Sequence, residues 1–134
     1  MTKYIAVAFV AISALLPNVS NAAAGGAKPA RHQPISAASW VGESGTASYY
    51  GPRHNGHRSA SGRRFDQREL TAAHPWLPFG TKVRVTLAST GRSVIVTITD
   101  RLYSNRRIVD LSVAAAQELG MIRAGLGEVT LLPV

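Results

Sequence analysis

The chain has 134 residues, 15 Lys and Arg against 7 Asp and Glu, and no cysteine. That length holds one domain, and the lack of cysteine excludes disulfides, a thiol nucleophile and thiolate metal sites. A net charge of +8 suits an anionic partner, nucleic acid or the polymers of a cell envelope, or serves solubility alone.

Residues 1–22 read as a secretory signal peptide. Lys3 supplies a positive n-region, Tyr4–Leu16 an apolar h-region of 13 residues, and Ser20-Asn21-Ala22 the small residues of a cleavage site. Pro17 and Asn18 end the apolar run short of the roughly 20 residues a membrane span needs, so no stable membrane insertion is expected after cleavage. Cleavage takes away Lys3 and no acid, leaving 14 basic and 7 acidic residues, net +7. Export argues against nucleic acid as the partner. A small exported domain without cysteine is expected in a bacterial periplasm or cell envelope, where wall polymers carry negative charge.

Residues 23–44 are rich in Ala, Gly, Pro and Ser and read as a flexible arm, with Trp40 placed to pack on the domain edge. The texture changes at Gly45. Thr46–Tyr50 has strand character; Lys82–Leu87 and Ser93–Thr99 alternate with period two and are joined by the Gly-containing hairpin connection 88–92. Ile108–Leu111 and Glu128–Leu132 are further strands. Between these two, Ser112 is an N-cap, Val113–Leu119 a short helix and Gly120 its C′ residue. Leu111, Ala115 and Leu119 give that helix one buried stripe. The pattern predicts a mainly β domain over residues 45–134, a small closed or nearly closed barrel with one helix near its C-terminus. Loops 51–62 and 75–80 are long and irregular, the kind of connection on which sites are built.

The residues able to do chemistry are an imidazole and carboxylates. Asp66 and His74 stand eight positions apart ahead of a strand; Asp100 closes SVIVTITD and Asp110 lies in RIVDLS. Acid/base work on a neutral polymer needs a carboxyl with a raised pKa and a group to orient or share its proton. Asp66 is the candidate acid/base, His74 its orienting partner, and Asp100 the neighbour that holds His74 or raises the Asp66 pKa. Asp110 precedes the Ser112 N-cap, where an acid also favours the helix dipole. Tyr50, before Gly51-Pro52, and Trp76 are candidate sugar-stacking aromatics, and Arg101 a candidate cleft residue. His54 and His57 have no acidic ligand nearby in sequence and do not make a metal site; no metal or cofactor is expected.

The stretches GTASYYGPRHNGHRSASGRRFDQRELTAAHPWLPFGTKVRV, GRSVIVTITDR and RIVDLSVAAAQELGMIRAGLGEVTLLPV together resemble the rare lipoprotein A (RlpA-like) family. The resemblance implies a six-stranded double-psi β-barrel over residues 45–134, shared with expansins. It also implies lytic transglycosylase activity on peptidoglycan glycan strands, in septal or cell-wall processing, with divisome proteins as further partners of a monomer. Asp66 and His74 match the family's F-D-x(7)-H aspartate and histidine, Asp100 the aspartate opening its D-R-G-P loop, and Asp110 the F-D-L-S aspartate of expansins. Two departures stand out. Arg63 occupies the place of the family's usual glutamate, and D-R-G-P is here Asp100-Arg101-Leu102-Tyr103. They favour the alternative, a non-catalytic, expansin-like module that binds or loosens the wall.

Overall fold

The computed structural model describes residues 37–134; the expected signal peptide and the expected arm up to residue 36 lie outside the described residues. Six strands close on themselves: β1 (Glu43–Tyr49), β2 (Thr71–His74), β3 (Lys82–Leu87), β4 (Ser93–Arg101), β5 (Val109–Leu111) and β6 (Gly127–Pro133), with one helix, α1 (Val113–Leu119). The order around the barrel is β1-β5-β2-β4-β3-β6. Two neighbouring pairs, β1/β5 and β2/β4, run parallel, and the others run antiparallel. The expected closed β-barrel with one helix is the fold observed.

Alternation builds the core. In β3 and β4 every second residue (Val83, Val85 and Leu87; Val94, Val96 and Ile98) is buried, because successive side chains point to opposite faces of a strand. The Ser112 hydroxyl accepts from the Ala115 N–H, and Gly120 closes α1 at φ +75° with its N–H on the last turn. The predicted stripe of Leu111, Ala115 and Leu119 is fully buried. Among the described residues no helix is long and apolar enough to cross a membrane.

The sequence reading and the structure differ most at three strands. β1 begins at Glu43, inside the expected arm, because Glu43 and Ser44 pair with Leu131 and Thr130 of β6, and Trp40 is buried in the core cluster. β4 runs on to Arg101, so Asp100 belongs to a strand rather than a loop. β2 gave no sequence signal: its four residues are all buried, and a strand enclosed on both faces shows no alternation.

Gly42 makes the turn into β1 at φ +111°, and a Cβ there would meet the Leu131 carbonyl oxygen at 2.5 Å. Neither the backbone angle nor that contact can relax cheaply. Gly42→Ala is expected to lower unfolding free energy by about 2 kcal/mol in denaturant titrations at unchanged slope. Gly51→Ala, at φ −73° with nothing within 4 Å of a Cβ, should stay within about 0.5 kcal/mol of the wild type.

Candidate functional site

The strand register places two carboxylates in one row. Ser48 of β1 pairs with Asp110 of β5, Asp110 with Ala73 of β2, and Ala73 with Asp100 of β4. Residues paired across neighbouring strands share a face, and strands lie about 4.8 Å apart. Asp110 and Asp100 therefore flank the buried Ala73 with Cα atoms roughly 10 Å apart.

Tyr50 leans over this row. Its N–H donates to the Leu111 carbonyl at 2.8 Å, and its hydroxyl donates to Asp100 Oδ2 at 2.9 Å. Asp100 Oδ1 accepts from the backbone N–H groups of Ala60 and Arg101, each at 2.8 Å. Burial, with the Asp100 charge and hydrogen bond and the Asp110 charge added, pushes the Tyr50 phenol far above its ordinary value. The Asp110 side chain, 12% exposed, is gripped by Arg107, with Nε at 2.9 Å and Nη2 at 3.2 Å. Phe65 and His54 each pack on the Tyr50 ring at 4.9 Å between centroids, so the loop after β1 packs around Tyr50 beside the aspartate row, the candidate groove.

Asp66 and His74 are not partners. Asp66 makes an Asx turn in which Oδ1 accepts from the Arg68 N–H at 2.9 Å. The Arg68 guanidinium closes on both oxygens, at 3.1 Å each, and these bonds hold the carboxyl below its ordinary range. The expected rise in the Asp66 pKa is thus reversed, because an arginine rather than a second carboxylate is its neighbour. Asp66 lines a small pocket beside Ser59, Arg63, Glu69 and Thr99.

His74 follows Ala73 and so points to the opposite face of β2 from the aspartate row. It is fully buried, edge-on to Trp40 and Trp76. Its Nδ1 accepts from the N–H groups of Trp76 at 3.2 Å and Leu77 at 3.1 Å. An Nδ1 that accepts carries no hydrogen, so the hydrogen is on Nε2 and is donated to Glu43 Oε1 at 2.7 Å. The partner of His74 is therefore Glu43, not Asp66 or Asp100.

The remaining candidates divide the same way. Trp76, 36% exposed, belongs to the His74 cluster rather than to the Tyr50 groove. Arg101 spends Nη1 on the carbonyls of Leu77 at 2.7 Å and His74 at 3.2 Å and lies 4.1 Å over the Phe79 ring, which makes it a structural clamp. No group of three or more His, Asp or Glu among the described residues could hold a metal ion. Sequence reasoning missed Ala73 and Glu43. Nothing in one sequence marks Ala73, but Glu43 is the only acid before Asp66, a signal that its placement in the arm concealed.

Burial is the largest influence on His74 and outweighs the Glu43 bond and charge, leaving its pKa below the ordinary 6.5. The unfolded chain then takes up a proton that the folded one refuses, so stability is lost as pH falls from about 6.5 toward the folded value. Thermal unfolding is expected to show Tm dropping over that window, with the drop flattened in His74→Gln. An equal pH slope in the variant would contradict the buried neutral imidazole.

The sequence profile of the lytic transglycolase family matches residues 42–131. A probable endolytic peptidoglycan transglycosylase RlpA of Synechocystis is 50% identical over 88 residues, covering 65% of this chain and 27% of that protein. The endolytic peptidoglycan transglycosylase RlpA of Neisseria meningitidis is 41% identical over 100 residues, covering 74% of this chain and 42% of its own length. The chain thus spans between about a quarter and two fifths of these curated relatives. Among solved structures, Streptomyces papain inhibitor superposes with a TM-score of 0.55 at 26% identity, over 69% of this chain and 94% of that one. An expansin of Clavibacter michiganensis in its apo form gives 0.56 at 22% identity, over 70% and 50%, a likeness of fold. With its profile match running from the turn before β1 into β6 and the barrel closed as described, the chain belongs to the lytic transglycolase family of double-psi β-barrels.

Proposed function

We propose that this barrel is the catalytic domain of an exported endolytic peptidoglycan transglycosylase, acting in the bacterial envelope on glycan strands during wall or septal processing. The observation that supports it is the row Asp110–Ala73–Asp100 with the Tyr50 hydroxyl on Asp100: the register brings two carboxylates and a phenol from distant parts of the chain together. The names of the RlpA relatives supply the polymer and the reaction class.

The reaction needs one carboxyl used twice. As the bond between C1 and the glycosidic oxygen breaks, an acid gives its proton to the leaving oxygen. The muramoyl C6 hydroxyl then bonds to C1, and the same carboxylate takes the hydroxyl proton, closing a 1,6-anhydro ring with no water consumed. We assign that role to Asp110, the more enclosed member of the row. Glycan lying over the row excludes water from the proton transfer. Asp100, fixed by three donors, faces the positive charge that develops at C1, and Tyr50 holds it there. Asp66 lies outside the row, in the small pocket of Ser59, Arg63, Glu69 and Thr99, and does not donate the proton, while His74 acts from the far side of β2.

One observation favours a second reading. Two of the three site carboxylates are closed by arginines, Asp66 by Arg68 and Asp110 by Arg107, an arrangement suited to a module that binds the wall without cutting it. The two separate on amidase-stripped glycan strands analysed by mass spectrometry. Wild type should release 1,6-anhydromuramoyl ends, Asp110→Asn and Asp100→Asn should each lose about 10²–10⁴-fold in rate, and Tyr50→Phe about tenfold. Wild-type protein that sediments with peptidoglycan but yields no such ends would establish the binding module.

A further inference from the structure

Glu43, a residue outside the groove, is joined to it by an unbroken set of contacts. Glu43 Oε1 receives the Nε2 hydrogen of His74 at 2.7 Å. His74 Nδ1 in turn fixes the N–H groups of Trp76 and Leu77, and so the start of the 75–80 loop. The carbonyls of His74 and Leu77 capture Arg101 Nη1, and Phe79 of the same loop covers the guanidinium. Arg101 is the residue after Asp100, and its N–H donates to Asp100 Oδ1, the carboxylate that takes the Tyr50 hydroxyl on its other oxygen. The charged and titratable groups acting on His74 are Glu43 from β1 and Arg101 from β4; its other neighbours are the rings of Trp40 and Trp76.

From this geometry we infer that Glu43 is a positioning residue: by accepting from Nε2 it locks the His74 tautomer, and through the 75–80 loop and Arg101 it sets the Asp100 carboxylate against Tyr50. The physical reason is proton accounting. With Glu43 present, a single hydrogen on Nε2 satisfies both ring nitrogens. Without an acceptor at Glu43, that hydrogen is buried unpaired; moving it to Nδ1 would break the two loop N–H bonds. Either outcome loosens the loop that anchors Arg101. A glutamine keeps an acceptor oxygen at the same reach, so Glu43→Gln preserves the arrangement and Glu43→Ala does not. The consequence for catalysis rests on the proposed transglycosylase reading; the consequence for Asp100 and Tyr50 does not.

Two readouts independent of activity carry the test. The His74 tautomer is read from its ring nitrogen NMR shifts, and Tyr50 ionisation from phenolate absorbance during alkaline titration. Wild type and Glu43→Gln should show a pure Nε2–H tautomer and a Tyr50 that resists ionisation to the alkaline limit of folding. In Glu43→Ala the tautomer signal should change and Tyr50 should ionise at least about one pH unit lower. Arg101→Lys cuts the chain further on, and should leave the tautomer intact while shifting Tyr50, so it serves if Glu43→Ala fails to fold. On stripped glycan, Glu43→Ala should lose about tenfold in kcat with KM within about twofold, and Glu43→Gln should recover most of the loss. An unchanged Tyr50 titration in folded Glu43→Ala or in Arg101→Lys would overturn the inference. Should the tautomer and Tyr50 respond as stated while wild type cuts no glycan, the positioning role stands and the transglycosylase reading falls.

Discussion

β2 is four residues long, and both of its edges are taken, by β4 running parallel and β5 running antiparallel. So short a strand cannot be stable by itself; it is held by ladder bonds on both sides and by complete burial of its side chains. Everything at the site depends on it. On one face it offers Ala73, the smallest side chain that still lets two aspartates on flanking strands share a floor. On the other it offers His74, whose two nitrogens tie the 75–80 loop to β1. The register shift between Ala72 and Ala73 lets β4 keep Ile98 opposite Ala72 in the core and Asp100 opposite Ala73 in the groove.

The two faces use polar groups differently. Around Ala73, Asp100 accepts three hydrogen bonds and Asp110 a bidentate arginine, so both acids are fixed in direction. Behind β2, a buried imidazole is tolerable because each nitrogen has a partner. The basic loop after β1 is built on the same economy: Arg58 and Arg64 donate to the carbonyls of Gly62 and Gly56, bonds that shape the loop.

A shared barrel does not carry a shared activity. Expansin and papain inhibitor structures superpose on this chain at nearly equal TM-scores, while the relatives close in sequence are named for transglycosylases. What distinguishes one user of the fold from another is the handful of side chains in the groove and the loops that hold them. Here the candidates are Tyr50 and Asp100 with the loop 51–70 around them, since Asp110 matches an aspartate of expansins as well.

Strands β3 and β4, the hairpin between them, and α1 with its Ser112 and Gly120 caps were legible in the chain, because each is specified by local periodicity and end chemistry. The acidic residues of the groove could also be named from their motifs. Which of them meet could not. The eight-residue spacing of Asp66 and His74 suggests a pair, yet the face on which each lies is set by β2, a strand whose burial on both sides erases the alternation that would reveal it. Glu43 reads as part of an arm until β6 pairs with it, and Ala73 has no chemistry until two strands from distant parts of the chain put carboxylates on either side. Local sequence thus determined the elements and the available chemistry; long-range strand register alone decided which groups share a groove, since a one-residue step along a strand turns a side chain to the opposite face.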